Sequence, residues 1–180
     1  MIDERLDLWT DVAALTVFDP ETFAGGSHAP TWPPENDEAV RKGLYVYVSL
    51  QGDCTFTVRL TDVGLTDTEA AVVNETLGPL GLTVRSGRVY ISGMDYPGDP
   101  IDAHDGAGHF VSVEVGEYDV LVHELDTLSD RWTDALPHFV LVVTQRLSSF
   151  RGIGSGLRFT GGRRIDLTLA ELEGKEVDDE

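Results

Sequence analysis

Strict alternation of apolar and polar residues constrains the fold of this chain more than any other feature. Residues 44–50 (LYVYVSL) and 54–60 (CTFTVRL) each place an apolar side chain at every second position. Successive side chains of a β-strand point to opposite faces, so each stretch predicts a strand with one apolar face. Gly52 lies between them and can supply the positive φ of a turn, which predicts a β-hairpin. Cys54 falls on the apolar face, where it is predicted to act as a small core side chain.

The same alternation predicts two further hairpins. Residues 81–92 (GLTVRSGRVYIS) alternate on both sides of a turn at Ser86 and Gly87. Residues 109–125 (HFVSVEVGEYDVLVHEL) alternate on both sides of a turn at Gly116. In each hairpin, the predicted pairing places the apolar side chains of both strands on a common face.

Two single strands and one helix are also predicted. Residues 8–19 predict one strand near the N-terminus, and the mostly apolar residues 138–146 predict a strand at the centre of a sheet. Thr66 and Glu69 have the spacing of a capping box, and Gly78 is placed to end a helix. A helix of about three turns is therefore predicted between them.

These elements predict a mainly β protein, an antiparallel β-sandwich with one short helix. The Pro-containing residues 19–43 predict a loop. Residues 1–170 are predicted to form a single β-sandwich domain, since a chain of 180 residues can build one real core. The acidic residues 171–180 are predicted to be a disordered tail.

The charge of the chain is strongly negative. Asp and Glu number 32 against 13 Lys and Arg, which gives a net charge of −19. Binding to phosphate needs cations, so the charge argues against nucleic acid and anionic membranes as partners. It favours a basic protein as partner. A salt-adapted organism, or a requirement for solubility, also explains an acidic surface.

The basic residues are unevenly distributed. Residues 146–164 contain five Arg and no Asp or Glu. This segment either pairs with the acidic remainder of the chain or forms an exposed basic strip, and the sequence favours neither alternative.

Features of the chain ends and of cysteine usage predict a cytoplasmic protein. Residues 1–9 are acidic and contain no apolar stretch, so they do not resemble a secretory signal. No apolar run approaches the roughly 20 residues of a membrane helix. The single cysteine, Cys54, excludes an internal disulfide framework.

Residues 93–110 (GMDYPGDPIDAHDGAGHF) concentrate Asp and His in a way that suggests a metal site. The stretch does not fit an EF-hand, which needs acids or amides at fixed positions around its glycine. His104 and His109 lie five apart among Pro and Gly, which excludes a helical zinc motif. We interpret the stretch as a loop that joins two strands, with a metal site of Asp102, His104 and His109 as the alternative.

Sequence motifs for catalysis are not found. The chain contains no nucleophile-elbow motif and no P-loop, and GIGSGL (152–157) lacks the spacing of a dinucleotide fingerprint. His123 and His138 fall in predicted strands, where surface or hydrogen-bonding roles are expected. We predict a protein that is not an enzyme and that uses no cofactor.

The order of several features resembles a known family. A strand LTVFD (15–19) precedes a Pro-rich loop with Trp32, then EAVRKGLYVYVSL (38–50), and later VSVEVGEYDVLVHEL (111–125). This order, across residues 7–146, resembles competence protein J, a small bacterial nuclease inhibitor, and related immunity-type proteins. The helix predicted after Thr66 and the chain beyond residue 146 depart from that pattern. The resemblance implies a non-enzymatic acidic protein that binds and blocks a basic enzyme surface.

The charge and the resemblance together predict an acidic intracellular binding protein that inhibits a basic enzyme such as a nuclease. A structural or housekeeping β domain of a salt-adapted or GC-rich bacterium or archaeon is the alternative, as is a metal-binding protein that uses residues 95–109. Six acidic residues are the predicted partner-binding face: Asp99, Asp102, Asp105, Glu114, Glu117 and Asp119.

Overall fold

A computed structural model describes residues 1–22, 38–50, 52, 54–93 and 108–146. The strands of this part of the chain are β1 (Asp3–Thr10), β2 (Ala14–Phe18), β3 (Tyr45–Ser49), β4 (Cys54–Thr61), β5 (Val73–Val84), β6 (Arg88–Ser92), β7 (Gly108–Ser112), β8 (Gly116–Leu125) and β9 (Phe139–Gln145). Its helical elements are a 3-10 turn (Pro20–Thr22), α1 (Glu38–Arg41) and α2 (Asp67–Ala70). α1 lies inside residues 19–43, for which the sequence predicts only a loop.

The strands form two sheets, which confirms the prediction of a mainly β, sandwich-like fold. Sheet A has five strands in the order β1-β4-β9-β8-β5, and sheet B has four in the order β3-β2-β6-β7. Among the described pairs, β4 and β9 run parallel and the others antiparallel, so the purely antiparallel prediction is wrong for one pair. β9 lies between two strands that themselves run in opposite directions, so it can be antiparallel to only one of them.

The three predicted hairpins are wrong, and for one reason. The strands on either side of each predicted turn lie in opposite sheets: β3 and β4, β5 and β6, and β7 and β8. The alternation of apolar and polar residues indicates only which face of a strand is buried. Two strands that face each other across a core bury the same faces as two strands paired side by side, so the pattern predicts the strands but not their partners.

The N-terminal stretch forms two strands instead of the one predicted. Residues 8–19 contain the end of β1 and all of β2, and the two strands lie in different sheets. Ala13, between them, has a φ of 52°, in the left-handed region. The Thr10 hydroxyl accepts a hydrogen bond of 3.1 Å from the backbone N–H of Ala14. This bond stabilises the turn that carries the chain from sheet A to sheet B.

The predicted helix starts where expected and ends early. The capping box is complete, since the Thr66 hydroxyl accepts from the Glu69 N–H at 3.2 Å and the Glu69 carboxylate accepts from the Thr66 N–H at 2.7 Å. The helix nevertheless has four residues, and β5 begins at Val73. Val72 and Val73 are β-branched, and pairing with β8 overrides helical propensity here. Gly78 lies within β5 instead of ending a helix.

The main core fills the space between the sheets. It contains the predicted apolar residues of 54–60 and most of those of 44–50, but Leu44 packs instead against the cluster on the other face of sheet B. Cys54 is 3% exposed and packs in this core, which confirms its predicted structural role. β9 lies in the middle of sheet A, as its apolar sequence predicts.

Aromatic side chains bury the outer face of sheet B. Tyr45 and Tyr47 point away from the main core, yet they are 1% and 7% exposed. Rings at paired positions of the four strands contact one another, with centroids 5.7, 5.7 and 5.0 Å apart along the row. The row consists of Tyr45, Phe18, Tyr90 and Phe110. Both faces of sheet B are therefore apolar near its centre.

The outer face of sheet A buries a network of charges. Glu69 is 3% exposed, and its carboxylate lies 2.7 Å from the Nη1 of Arg59. The Nε of the same Arg59 lies 2.7 Å from the carboxylate of Asp3. Because Arg59 thus joins α2 to β1 through β4, the network fixes the helix on the sheet.

Two histidines of sheet A make structural hydrogen bonds. The Nδ1 of His138 accepts from the backbone N–H of Thr57 at 3.0 Å. Burial lowers the pKa of His138, and the positive charge of Arg5 lowers it further. The Nδ1 of His123 lies 2.8 Å from the hydroxyl of Thr76, and burial lowers the pKa of His123 as well. Both side chains are therefore stabilised in the neutral form.

A buried carboxylate joins sheet B to the turn between β5 and β6. Asp19 follows β2 and is fully buried. One carboxylate oxygen accepts from the backbone N–H groups of Arg85 and Ser86 at 2.5 and 2.6 Å. The other accepts from the Ser86 hydroxyl at 2.8 Å and from the Glu21 N–H at 2.9 Å. Burial alone raises the pKa of Asp19, but these hydrogen bonds lower it more, so the pKa lies below its usual value.

Replacing Asp19 by Asn is expected to destabilise the protein. The amide has one oxygen where the carboxylate has two, so at least one donor is left without an acceptor, at about 1–3 kcal/mol for each donor. Urea denaturation should measure this loss, with Asp11→Asn, on an exposed residue, as the control. Because the Asp19 pKa is lowered in the fold, its stabilisation is present above the unfolded value near 4 and is lost as the pH falls through the lowered pKa. An Asn variant as stable as the wild type at pH 7 would contradict this role.

The lowered pKa values of the two histidines predict a loss of stability in mild acid. Below about pH 6.5 the unfolded chain binds protons that the folded chain does not. The free energy of unfolding should therefore fall between pH 7 and 5, by at most about 1.4 kcal/mol per pH unit for each histidine. In the double variant His123→Asn, His138→Asn, whose side-chain oxygens can replace Nδ1 as acceptors, this slope should be smaller. Equal slopes in denaturation series across these pH values would refute the assignment.

Candidate functional site

A cleft opens at the end of the sandwich where β8 begins and β9 ends. Its volume is about 530 Å³. It is lined by Met1, Ile2, Asp62, Gly87, Ser112, Val113, Glu114, Tyr118, Val143, Thr144 and Gln145. Segments from both sheets and from the turn between them thus form its walls. The size lies within the range of about 300–1,000 Å³ that is usual for binding pockets.

Two carboxylates give the cleft its charge. Glu114 follows β7 and Asp62 follows β4, and both lie near the phenol of Tyr118. Burial raises the pKa of Tyr118, and the negative charges of Glu114 and Asp62 raise it further. Glu114 and Asp62 are far apart in the sequence, but both contribute negative electrostatic potential at the Tyr118 side chain. Asp62 is also 3.6 Å from the amino group of Met1, an exposed contact.

Tyr118 holds the backbone that presents Glu114. The Tyr118 hydroxyl donates a hydrogen bond of 2.8 Å to the carbonyl oxygen of Glu114. The backbone N–H of Val113 donates to the carbonyl oxygen of Gly87 at 3.1 Å. These two bonds fix the start of the β7–β8 connection, so the exposed Glu114 side chain lies on a rigid rim.

An exposed apolar residue follows Glu114 in the chain. Val115 is 63% exposed and occupies the connection between β7 and β8. Glu114 precedes it and Gly116 begins the next strand. An exposed apolar residue and an exposed acidic residue are therefore consecutive in this connection.

Glu117 and Asp119 lie on the other face of β8 from Tyr118, because they alternate with it along the strand. The guanidinium of Arg146 contacts both, since its Nη1 is 3.8 Å from the Glu117 carboxylate and its Nε donates to Asp119 at 2.8 Å. The Arg146 side chain is 6% exposed, whereas the side chains of Glu117 and Asp119 are 56% and 37% exposed, so only the cation of this group is buried. Arg146 offsets part of the negative charge that the sequence places at this turn.

The structure thus gathers half of the predicted binding face at one end of the molecule. Glu114 borders the cleft, and Glu117 and Asp119 lie behind it around Arg146. The other three predicted residues, Asp99, Asp102 and Asp105, lie outside the described residues. Asp62 is part of the same site, but no motif or spacing in the sequence connects it with Glu114.

The alternative metal site is described at only one of its three positions. His109 lies in β7, where its Nε2 is 3.1 Å from the carbonyl oxygen of Asp7 in β1. A ring N–H that donates to this carbonyl joins the edge of sheet B to the edge of sheet A. Asp102 and His104 lie outside the described residues. Within the described part of the chain, no group of three or more His, Cys, Asp or Glu side chains is arranged to hold a metal ion.

Comparison with solved structures confirms the resemblance noted in the sequence. A structure titled Crocagin biosynthetic gene J matches with a TM-score of 0.47 and 18% identity, covering 79% of this chain and 97% of the other. The structure of ComJ from Bacillus subtilis, titled an inhibitor of the DNA degrading activity of NucA, matches with a TM-score of 0.46 and 14% identity, covering 79% and 96%. At this level of similarity neither match assigns a function.

The amino-acid sequence of the chain matches a protein family. No curated protein matches the chain. In the described part of the chain, no helix has the length and apolarity needed to span a membrane. Residues 1–130 match a family whose description is that of a family of unknown function, DUF6386. Because this match covers most of the 180 residues, the chain belongs to the DUF6386 family.

Proposed function

We propose that this protein binds a basic protein at the cleft end of its sandwich and blocks that protein's activity. The observation that carries the proposal is the cleft of about 530 Å³, which the acidic residues Glu114 and Asp62 line and which the exposed Val115 follows directly in the chain. A long cationic side chain that enters the cleft would meet both carboxylates. Its neighbours on the partner would cover Val115.

Electrostatics and apolar contact have separate roles in this proposal. The negative charge attracts a basic partner before contact and raises the association rate. Burial of the Val115 side chain, at about 25 cal/mol for each Å² of apolar surface, slows dissociation. Because the rim is held by the hydrogen bonds of Tyr118 and Val113, little conformational entropy is lost on binding.

Two of the remaining predicted residues extend this surface. Glu117 and Asp119, which pair with Arg146, keep a net negative charge as a group and adjoin the rim through Gly116. Asp99, Asp102 and Asp105 stay part of the proposed acidic face, and only binding measurements on variants can test them.

A nuclease is the first class of target to test. ComJ is titled an inhibitor of the DNA degrading activity of NucA, and this wording concerns that protein. A TM-score of 0.46 does not transfer the role to the present chain. DNA-binding enzymes have positive surfaces that suit an acidic rim, which makes their inhibition a direct test of the proposal.

The proposal predicts that neutral variants of the cleft associate more slowly with the partner. The variant Glu114→Gln, Asp62→Asn removes two charges at the cleft. The control Asp130→Asn, Asp134→Asn removes two charges from the connection between β8 and β9, at the opposite end of both strands. A basic protein captured from the source lysate at low salt should associate about tenfold more slowly with the cleft variant than with the control. Surface plasmon resonance at several salt concentrations measures these rates.

Activity of the captured protein provides the second readout. For a nuclease, degradation of DNA should fall as wild-type protein is added, and the cleft variant should need a higher concentration for the same effect. The proposal fails if the wild type captures no specific basic protein, or if the cleft variant and the control associate at the same rate.

A further inference from the structure

The edge strands of the two sheets differ in how they are protected against pairing with another chain. An edge strand presents unpaired backbone N–H and C=O groups, and charges, proline and bulges are the usual protection. β1 carries four charged residues in DERLDLWT, and β5 contains Pro79 and two register shifts. β3 is uncharged, but its first four residues are buried. Three of the four edges in the described sheets are therefore protected.

β7, the fourth edge, has none of these protections. Its sequence, GHFVS, contains no Lys, Arg, Asp, Glu or Pro, and its pairing with β6 has no register shift. Of the described strands, none pairs with its other side. Phe110 is 44% exposed, and Ser112 is exposed as well. β7 is therefore an accessible edge whose side chains do not oppose pairing.

The backbone groups of alternate residues of β7 point away from β6. In an antiparallel pair, positions that exchange hydrogen bonds alternate with positions that do not. The Val113 N–H donates to the Gly87 carbonyl at 3.1 Å. By this alternation, Val111 and His109 also bond to β6. The intervening residues direct their N–H and C=O groups outward, and they are Gly108, Phe110 and Ser112.

The row of aromatic rings on sheet B ends at this edge. Tyr45, Phe18 and Tyr90 are 1%, 2% and 5% exposed, but the exposure rises to 44% at Phe110. The Phe110 ring has Tyr90 on one side, at 5.0 Å, and, among the described residues, no ring on the other. The guanidinium of Arg88 lies over the Phe110 ring, 4.5 Å from its centroid. The row is thus covered on every strand except the last.

We propose that β7 pairs antiparallel with β7 of a second copy of this chain, about a two-fold axis that passes between the two Phe110 residues. In this register the two Phe110 residues exchange backbone hydrogen bonds, and Ser112 of each copy lies opposite Gly108 of the other. Residues directly opposite in a sheet have Cβ atoms about 5 Å apart, so the aromatic row continues from one molecule into the next. The two copies of sheet B become one continuous sheet.

The chemistry of β7 selects a second copy as the occupant. A basic partner would find no carboxylate along β7, and the charged group that contacts Phe110, on Arg88, is positive. An identical strand instead offers matching donors and acceptors and an identical ring. The pairing is isologous, so association stops at a dimer. Because only five residues of each copy pair, the dimer is weak, and it should form at concentrations on the order of 0.1 mM.

Sedimentation equilibrium of the full-length protein tests the pairing. With rising concentration, the mass should increase from 19.7 kDa toward twice that value. Phe110→Lys sets two like charges opposite each other at the axis, and Ser112→Pro removes an N–H that faces away from β6, so both variants should stay monomeric. The control Leu128→Lys adds the same charge to a residue that is 60% exposed in the β8–β9 connection, and it should dimerise like the wild type. Circular dichroism verifies that each variant is folded, and if one is not, the other carries the comparison.

A cysteine at the axis tests the register. Opposite residues of a hydrogen-bonded antiparallel pair have Cα atoms about 5.5 Å apart, which a disulfide can span. With oxidised glutathione as the oxidant, Phe110→Cys should therefore form a disulfide-linked dimer, measured by non-reducing electrophoresis. Leu128→Cys, the matched control, should form far less. The native Cys54 is 3% exposed and is present in both variants, so it does not affect the comparison.

The salt dependence separates this dimer from the proposed function. Two molecules with a net charge of −19 repel each other, and salt screens the repulsion, so the dimer should strengthen severalfold as sodium chloride is added. Association with a basic partner should instead weaken under the same change.

Four results would overturn the inference. They are a wild type that stays monomeric at millimolar concentration, a dimer that persists in the folded Phe110→Lys and Ser112→Pro variants, a dimer that weakens with added salt, and equal cross-linking of the two cysteine variants. None of these results bears on capture of a basic protein at the cleft, so the proposed function and the dimer can fail separately.

Discussion

The carboxylate of Asp19 is the interaction on which the arrangement of the two sheets most depends. It ends β2 in sheet B, and it accepts hydrogen bonds from the turn at Arg85 and Ser86, where the chain leaves sheet A for sheet B. A buried carboxylate is stable only when its oxygens have donors, and here four donors supply them. The turn next contacts β7, because the Gly87 carbonyl accepts from Val113. The Asp19 carboxylate thereby helps to position Gly87 and Val113, which line the cleft.

The cleft exists because consecutive strands cross between sheets. The turn after β5 and the connection before β8 both lie at the same end of the sandwich, and the end of β9 joins them there. Hairpins at these places would have put neighbouring strands in one sheet, with no gap between two sheets for the turns to enclose. The acids of the site thus come from the segments after β4 and β7 and from β8, and only the crossings bring Asp62 and Glu114 together.

Charge has different roles in different parts of this protein. Glu69 and Asp19 are buried and hydrogen-bonded to several donors, so they stabilise the fold. Glu114 is exposed on a rigid rim, where a charge affects association with other molecules more than stability. Arg146 differs from both. Its side chain is buried and pairs with Glu117 and Asp119, and it is the first of the Arg-rich residues 146–164. The net charge of −19 alone does not distinguish these roles.

The sequence by itself determined which residues form most of the strands and which faces they bury, as Cys54 in the core and the central position of β9 show. It also determined the start of α2, because a capping box is a local interaction between Thr66 and Glu69. Strand partners were decided only by the tertiary structure, since a period of two is the same for strands paired in one sheet and strands facing across a core. The early end of α2 was decided there too, by pairing of β5 with β8. The meeting of Glu114 and Asp62 has no local signal, because it depends on how the sheets close around residues that are 52 positions apart in the chain.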